Sequence, residues 1–192
     1  MGEVRAPLDM LISALSHEAV AGEEGLETKL CRFCLKTGVL CPRCEEKVKS
    51  GEVSQSYIGV ARLLLDLEDK GFTALQDATL MDVAEIGDVL VLVFKRGDLT
   101  RLGPTRGRLA RALEGELGKR VHMVEGDVDE RTFLEQLFAP ATLVTINRIW
   151  LPDDSVEIKV ILRGRRPWAD VRTLAEVARE LRNLSLRVEF ER

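Results

Sequence analysis

At 192 residues and 45% hydrophobic content, the chain is long enough for one or two small domains with packed cores. Its formal net charge is −4, so a nucleic-acid partner would have to be bound by a local basic patch rather than by bulk charge. No run approaches the roughly 18 to 20 apolar residues of a membrane helix. The first twenty residues lack the basic start and apolar run of a secretory signal. The composition therefore predicts a cytoplasmic protein without a membrane span.

The first 28 residues are predicted to form a separate N-terminal segment. Residues 6–20 carry apolar side chains at helical spacing, and residues 22–27 are rich in Gly and Glu. This pattern fits a docked helix and a mobile tail equally well. We assign the segment no function.

The four cysteines follow as C-x2-C, six residues and C-x2-C, at Cys31, Cys34, Cys41 and Cys44. In a chain without a secretory signal, this spacing indicates a metal site rather than disulfides. Two such pairs complete the tetrahedral four-sulfur shell of structural zinc, and an iron–sulfur site is the alternative. Four thiolates leave no open coordination position, so catalytic zinc is not expected. Residues 29–52 are therefore predicted to be a four-cysteine zinc knuckle.

Residues 53–127 show alternating helical and strand patterns. The predicted elements are a helix over 57–70 capped by Ser56, strands over 79–86 and 88–95, a helical turn over 98–102, a helix over 106–117 and a strand over 120–125. The second strand, VLVLVF, is apolar throughout, which predicts a central strand covered on both faces. The order is α-β-β-α-α-β, with a Gly-Pro loop between the last two helices.

A similar plan recurs over residues 128–192. The predicted elements are a helix over 130–138, strands over 142–150 and 156–163, a helix over 169–184 and a strand over 186–190. This α-β-β-α-β order repeats the first one without the short helix and its loop. The repetition predicts an α+β chain of two similar modules, of which the second is degenerate.

A basic stretch accompanies the Gly-Pro loop. Between positions 95 and 111 six Lys or Arg residues stand against one acid, Asp98. Such a run is usually a solvated helix face. Its position beside a glycine turn at a helix start favours contact with nucleic acid instead.

The segment GPTRGRLARALEGELGKRVHMVE followed by FLEQLFAPATLVTI closely resembles the first KH domain, and the entry to the second, of archaeal NusA-like transcription factors. The four-cysteine knuckle in front resembles a zinc-containing archaeal subgroup of these proteins. The resemblance implies tandem type II KH domains that bind single-stranded RNA without catalysis. It also implies a role in transcription elongation or termination.

KH domains approach the RNA backbone through a G-x-x-G loop. Here Gly103 matches the first glycine of that loop, Arg106 stands in place of the last, and Gly107 follows one position later. The resemblance and the local charge together predict these RNA-binding residues: Lys95, Arg96, Arg101, Gly103, Pro104, Thr105, Arg106, Gly107, Arg108 and Arg111. In the second module the basic group Arg163, Arg165, Arg166 and Arg172 lies where the loop would be, and we expect packing or phosphate contacts from it.

Trp150 and Trp168 fit either base stacking or packing, and their positions favour packing. No nucleophile–base pair, paired carboxylates or phosphate-binding loop is evident, so we expect no enzymatic activity. The alternative to RNA binding is a KH scaffold that docks on RNA polymerase or the ribosome. The altered loop and acidic net charge favour this alternative, and the local arginine cluster favours RNA.

Overall fold

The computed structural model describes residues 25–191. The helix predicted over 6–20 lies outside the described residues. The observed elements are β1 (Glu27–Thr28), α1 (Arg32–Thr37), α2 (Pro42–Lys49), α3 (Gln55–Asp69), β2 (Thr79–Ile86), β3 (Val89–Phe94), α4 (Asp98–Leu102), α5 (Thr105–Leu117), β4 (Arg120–Glu125), α6 (Glu130–Leu137), β5 (Thr142–Trp150), β6 (Val156–Arg163), α7 (Val171–Arg182) and β7 (Leu186–Phe190). A short 3-10 helix, Thr73–Leu75, joins α3 to β2. None of these helices is both long and apolar enough to cross a membrane.

The predicted fold class is confirmed, because an N-terminal four-cysteine cluster precedes two mixed sheets with helices between their strands. The helix α3 begins two residues earlier than predicted. Its cap is Ser54, whose hydroxyl accepts a hydrogen bond from the Tyr57 N–H at 3.1 Å, so the prediction of Ser56 as the cap was wrong. Ser56 lies inside the first turn of this helix.

The two sheets share one topology. In each, the first long strand runs antiparallel to the second, and the second runs parallel to the last. Both sheets also shift register around the third residue of the first long strand, at Met81 in β2 and at Val144 in β5. The shared position of the irregularity supports the predicted internal repeat.

The strand β3 is buried at every position, as its apolar run predicted. Leu90, Leu92 and Phe94 point into a core formed with α3 and α5. Alternate residues point to the opposite face, where Val91 and Val93 join a second core with α6, α7 and the second sheet. The first sheet is thus packed between its own helices and the second module.

The knuckle is attached to the first module by its backbone and its charges. The strand β1 extends the first sheet by pairing in parallel with β2. The hydroxyl of Tyr57, which is buried, accepts from the Lys29 N–H and donates to the Leu80 carbonyl, both at 2.8 Å. Arg32 lies 3.0 Å from the buried Glu68 carboxylate. These contacts attach the knuckle to both ends of α3 and to the first sheet.

Trp168 lies between the two modules. Its indole Nε1–H donates to the Leu137 carbonyl at 2.8 Å, and its ring stacks on His122 with centroids 4.6 Å apart. The packing predicted for this residue is therefore observed. Trp150, by contrast, is 75% exposed at the end of β5, so the packing predicted for it was wrong.

Candidate nucleic-acid interface and metal centre

The connection between α4 and α5 is only two residues long. Gly103 ends α4 with φ 44° and ψ −125°, a conformation that side chains with a Cβ rarely adopt, and Pro104 leads into α5. The Arg106 N–H donates to the Gly103 carbonyl at 3.3 Å. In the first turn of α5, Gly107 is exposed, and a Cβ there would meet nothing within 4 Å. Bare backbone is therefore open to a ligand on both sides of Arg106.

The basic side chains around this loop differ in what they contact. Arg101 lies 3.0 Å from the buried Asp98 carboxylate and donates to the Asp77 carbonyl, so its guanidinium group is already bound within the protein. Arg108 lies over the Phe72 ring at 5.6 Å. Five cations are exposed and have no carboxylate within 4.0 Å in residues 25–191: Lys95, Arg96, Arg106, Arg108 and Arg111. Among the described residues, no acid offsets their positive charge.

A cleft of about 390 Å³ lies beside the loop, along the free edge of β4. Arg106 stands on one side, and the α6 residues Thr132 and Gln136 stand on the other. His122 and Met123 of β4 also line it. The cleft has the form of a groove between a basic loop and a strand edge.

Two backbone N–H groups on the outer edge of β4 donate hydrogen bonds to side chains. The Val121 N–H donates to Glu114 at 3.1 Å, and the Glu125 N–H donates to Gln136 at 2.7 Å. Met123 lies between them, and strand alternation directs its N–H and carbonyl to the same edge. Met123 is only 3% exposed, so a ligand could reach these backbone groups only from within the cleft.

His122 forms part of the cleft and is half-buried. Its Nε2 lies 2.8 Å from the Gln136 carbonyl oxygen, which places a proton on Nε2 of the neutral ring. Burial lowers the pKa of His122, and the nearby charge of Arg106 lowers it further. The cleft thus holds a neutral imidazole at neutral pH.

The four cysteine sulfurs converge at the N-terminal ends of two short helices. Cys31 precedes α1 and Cys41 precedes α2, so each C-x2-C pair spans the first turn of a helix. Gly38 ends α1 with φ 79° and lets the chain return to the second pair. All four Sγ atoms lie within 4.8 Å of one another.

The four sulfurs are close enough together to share one metal ion. Ligand sulfurs about 2.3 Å from a zinc lie about 3.8 Å apart. The Cys31–Cys44 separation of 3.7 Å agrees with this value, whereas the Cys31–Cys34 separation of 3.0 Å is shorter. Two backbone groups, the N–H of Cys31 and that of Cys41, donate to sulfurs of the cluster. Such hydrogen bonds stabilise thiolates that bind a metal.

The surroundings raise the pKa of one thiol in the cluster and lower the pKa of another. The hydrogen bond with Cys31, together with burial, raises the pKa of Cys34 to about 12. A backbone hydrogen bond with Cys44 lowers the pKa of Cys41 to about 7. Four neighbouring thiolates repel one another, so a divalent cation is what would allow all four to ionise at neutral pH.

The four predicted cysteines lie together. Of the predicted RNA-binding residues, Arg106 lines the cleft, and the other residues that line it were not predicted. His122, Met123 and Gln136 carry no motif of their own. Their roles arise because α6 lies against β4, and that placement depends on contacts between modules. Only the apolar face of α6 and its position directly after β4 pointed towards such packing.

No protein-family model matches the chain, and no curated protein matches it. Among solved structures, one described as "Crystal structure of APE1850" aligns with a TM-score of 0.44 and 19% sequence identity. The alignment covers 64% of this chain and 94% of that chain. These comparisons do not assign the chain to a family.

Proposed function

We propose that this chain is a non-catalytic protein that binds single-stranded RNA in the cleft between the α4–α5 loop and β4. The observation that carries the proposal is the juxtaposition of uncompensated arginines with a bare-backbone turn and a free strand edge. In the KH domains that the sequence resembles, the same combination of turn and groove holds four nucleotides.

Each part of the cleft has a separate task in this proposal. Arg106 and Arg108 contact phosphates, and Gly103 and Gly107 let the sugar–phosphate chain approach the start of α5. The backbone of Met123 pairs with the edge of a base, while the neutral His122 ring provides an apolar wall. Phosphate contacts supply affinity and the strand edge supplies orientation.

The four cysteines are proposed to hold one structural zinc ion. The knuckle has little core of its own, so the metal would contribute much of its folding free energy. A four-thiolate shell has no open position for substrate, which agrees with the proposed absence of catalysis. The ion would act by holding the knuckle in the conformation that contacts α3.

We further propose that the RNA is a nascent transcript and that the protein acts in the cytoplasm as a NusA-like factor in elongation or termination. The resemblance of residues 102–141 to the KH domains of such factors supports this role. Either RNA polymerase or the ribosome would be the larger assembly with which it works.

RNA binding can be tested by titrating short single-stranded RNAs at several salt concentrations. The parent should bind with an affinity that falls with salt, and the Arg106→Asp/Arg108→Asp variant should bind much more weakly. Each lost phosphate contact should also reduce the slope of log affinity against log salt by about 0.7. Aspartate at a helix start is tolerated, so the double variant should remain folded.

A matched control carries the same change of charge elsewhere. Arg43→Asp/Arg179→Asp replaces two exposed arginines on α2 and α7, away from the loop. This control should retain the parent's affinity and salt slope. Absence of RNA binding by the parent, or equal losses in both double variants, would contradict the proposed groove.

A second candidate function is docking on a protein assembly. Phe33 and Val39 on the knuckle are 71% and 70% exposed, and Trp150 is exposed at the end of β5. Large exposed apolar side chains are characteristic of protein interfaces. Retained co-sedimentation of the Arg106→Asp/Arg108→Asp variant with ribosomes or RNA polymerase, alongside lost RNA affinity, would favour this candidate.

A further inference from the structure

A second cavity, of about 590 Å³, lies where the second module has no counterpart of the α4–α5 loop. Its walls are the segment between β6 and α7, the end of β7, and Arg120 from the first module. A cavity of this size can hold a nucleotide base with its sugar. The second module supplies most of its lining, and the first module contributes Arg120.

Two aromatic rings line this cavity. Phe190, at the carboxyl end of the edge strand β7, is 43% exposed although it is large and apolar. Trp168 is held in place by its hydrogen bond to Leu137 and by the His122 ring stacked on it. An exposed ring in a concave site is suited to stacking on a base, since every base has an aromatic face.

The charges of the cavity limit the kind of anion that it accepts. Arg120 is compensated by Asp88, whose two carboxylate oxygens it contacts at 3.0 and 3.2 Å. Arg166 is exposed, and no carboxylate lies within 4.0 Å of it in the part of the chain that the structure describes. The Arg166 and Asp170 charges offset each other, so a nucleoside triphosphate would bring several uncompensated negative charges, whereas a single phosphodiester can contact Arg166. These charges favour a nucleotide within a strand.

Asp170 adds a hydrogen-bond acceptor to the same cavity. Its Oδ2 accepts from the Arg172 N–H at 3.0 Å and caps α7. Within residues 25–191, the other oxygen, Oδ1, accepts no hydrogen bond. A carboxylate can accept from the exocyclic amino group of cytosine, adenine or guanine, whereas uracil presents carbonyl oxygens instead.

The structure also relates this cavity to the cleft beside β4. His122 lines the cleft, Trp168 lines the cavity, and the two rings are stacked against each other. The two sites therefore adjoin across a single pair of rings. A strand that leaves the cleft reaches the cavity without crossing a wide gap.

We propose that this cavity, named here the Phe190 pocket, binds one base of an RNA strand and prefers a base with an exocyclic amino group over uracil. Phe190 stacks on the base, Arg166 contacts the adjoining phosphate, and Asp170 accepts from the amino group. The inference rests on the proposed function, because the strand must first be held in the β4 cleft. It adds a base preference that the loop and the cleft do not provide.

The test compares the affinities of the full chain for oligo(C), oligo(A) and oligo(U) of equal length, about eight nucleotides, long enough to exceed the four held by one groove. The variant Asp170→Asn keeps the helix cap, since Asn caps as well as Asp. It also replaces a pure acceptor by an amide that can donate to uracil. The parent should prefer C and A over U by about tenfold, the scale of one specific base contact. The asparagine variant should lose most of that preference.

A second pair of variants separates stacking from base recognition. Phe190→Leu keeps an apolar side chain but removes the ring, and it should weaken binding of all three oligonucleotides several-fold with their order unchanged. Phe33→Leu changes an exposed ring on the knuckle and should leave all three affinities unchanged.

The outcomes distinguish the pocket from the proposed function. If no oligonucleotide binds the parent, the proposed function fails. If all bind but show equal affinity, or if Asp170→Asn keeps the parent's preference, the Phe190 pocket fails while RNA binding stands. Loss of affinity in Phe33→Leu equal to that in Phe190→Leu would likewise overturn the pocket.

Discussion

In the first module both faces of the central strand are covered, whereas the central strand of the second module is covered on one face. All six residues of β3 are buried, while buried residues alternate with half-buried ones along most of β6. On the outer face of the second sheet, Lys159 and Glu189 form a cross-strand ion pair at 2.8 Å. The two sheets therefore share one topology but differ in how many of their faces are buried.

The difference shows which module depends on the other. The second core includes Val89, Val91 and Val93 of the first sheet together with α6, α7 and the second sheet. The first core is formed by the knuckle, α3, α5 and the opposite face of the first sheet. The second module therefore lacks a complete core without the first.

Breaking the four-cysteine cluster, which we propose holds zinc, should have the largest effect on this arrangement. Cys34→Ser breaks the four-sulfur shell at a buried position, so bound zinc should fall from about one ion per chain to near zero. The knuckle should unfold, and the first module should lose several kcal/mol of stability. Metal analysis and thermal unfolding measure both effects.

The adjacent change Phe33→Ser is the control, because it alters an exposed side chain outside the shell. It should keep both the metal and the melting temperature. A parent protein with no bound metal, or with iron in place of zinc, would contradict the zinc assignment.

Truncating the core shared by the modules should have the next largest effect. Phe133 is fully buried, and the Arg182 guanidinium lies 4.3 Å from the centre of its ring. Phe133→Ala should cost about 3–5 kcal/mol, measured by denaturant unfolding. Hydrogen exchange should show protection lost from β5, β6 and β7 before the first module opens.

The exposed variant Arg131→Ala, on the same helix, should change stability by less than about 1 kcal/mol. If Phe133→Ala instead reduced protection equally in both modules, the proposed dependence of the second on the first would be wrong.

Replacing a glycine near the loop should change the stability of the fold and the affinity for RNA in opposite directions. Gly107→Ala places a better helix former at an open helical position and should stabilise the fold by up to about 1 kcal/mol. The added methyl group should nevertheless weaken RNA binding, because it covers backbone that the strand approaches. Thermal unfolding and RNA titration on the same sample measure both effects.

Gly115→Ala, later in the same helix, is the matched control, since its Cβ would also meet nothing within 4 Å. It should stabilise the fold without affecting RNA. Equal binding by both alanine variants would show that the strand does not approach Gly107.

The smallest expected effect is a pH dependence from His122. Because burial lowers its folded-state pKa, the unfolded chain takes up this proton more readily than the folded one below pH about 6.5. The stability contributed by the neutral ring is therefore present above pH 6.5 and is lost as the pH falls through the lowered folded-state pKa.

His122→Gln removes the titrating group, so the stability difference between parent and variant should shrink as the pH falls from 7.5 to 5. Urea unfolding at each pH measures this difference. A difference that stays constant, or that grows on acidification, would contradict the direction of the pKa shift.

Local patterns were sufficient for most individual elements. The bounds of β2, β4, β5, β6, β7 and α4 agree with the predicted ranges, because each is marked by alternating or continuous apolar residues between turn residues. The cap of α3 was misassigned between two nearby serines. Both residues fit the capping pattern, and only backbone conformation separates Ser54 from Ser56.

Contacts between residues distant in sequence determined the different burial of the two tryptophans and the pairing of β1, which local patterns did not predict. Trp150 and Trp168 are alike in local sequence terms, yet one is exposed and the other stacks on a histidine 46 positions away along the chain. The strand β1 was missed because its two residues pair only with a partner some fifty residues later.

The residue types and their spacing were enough to identify the four-cysteine cluster, the repeated order of elements and the basic turn at Gly103, because each depends on neighbours along the chain. The cleft beside β4 and the Phe190 pocket depend on how α6, Trp168 and Arg120 meet across two modules. Contacts between residues distant in sequence leave no periodic signal. For that reason the basic turn proposed to bind RNA was visible in the sequence, while the residues that form the cleft beside it were identified only from the folded chain.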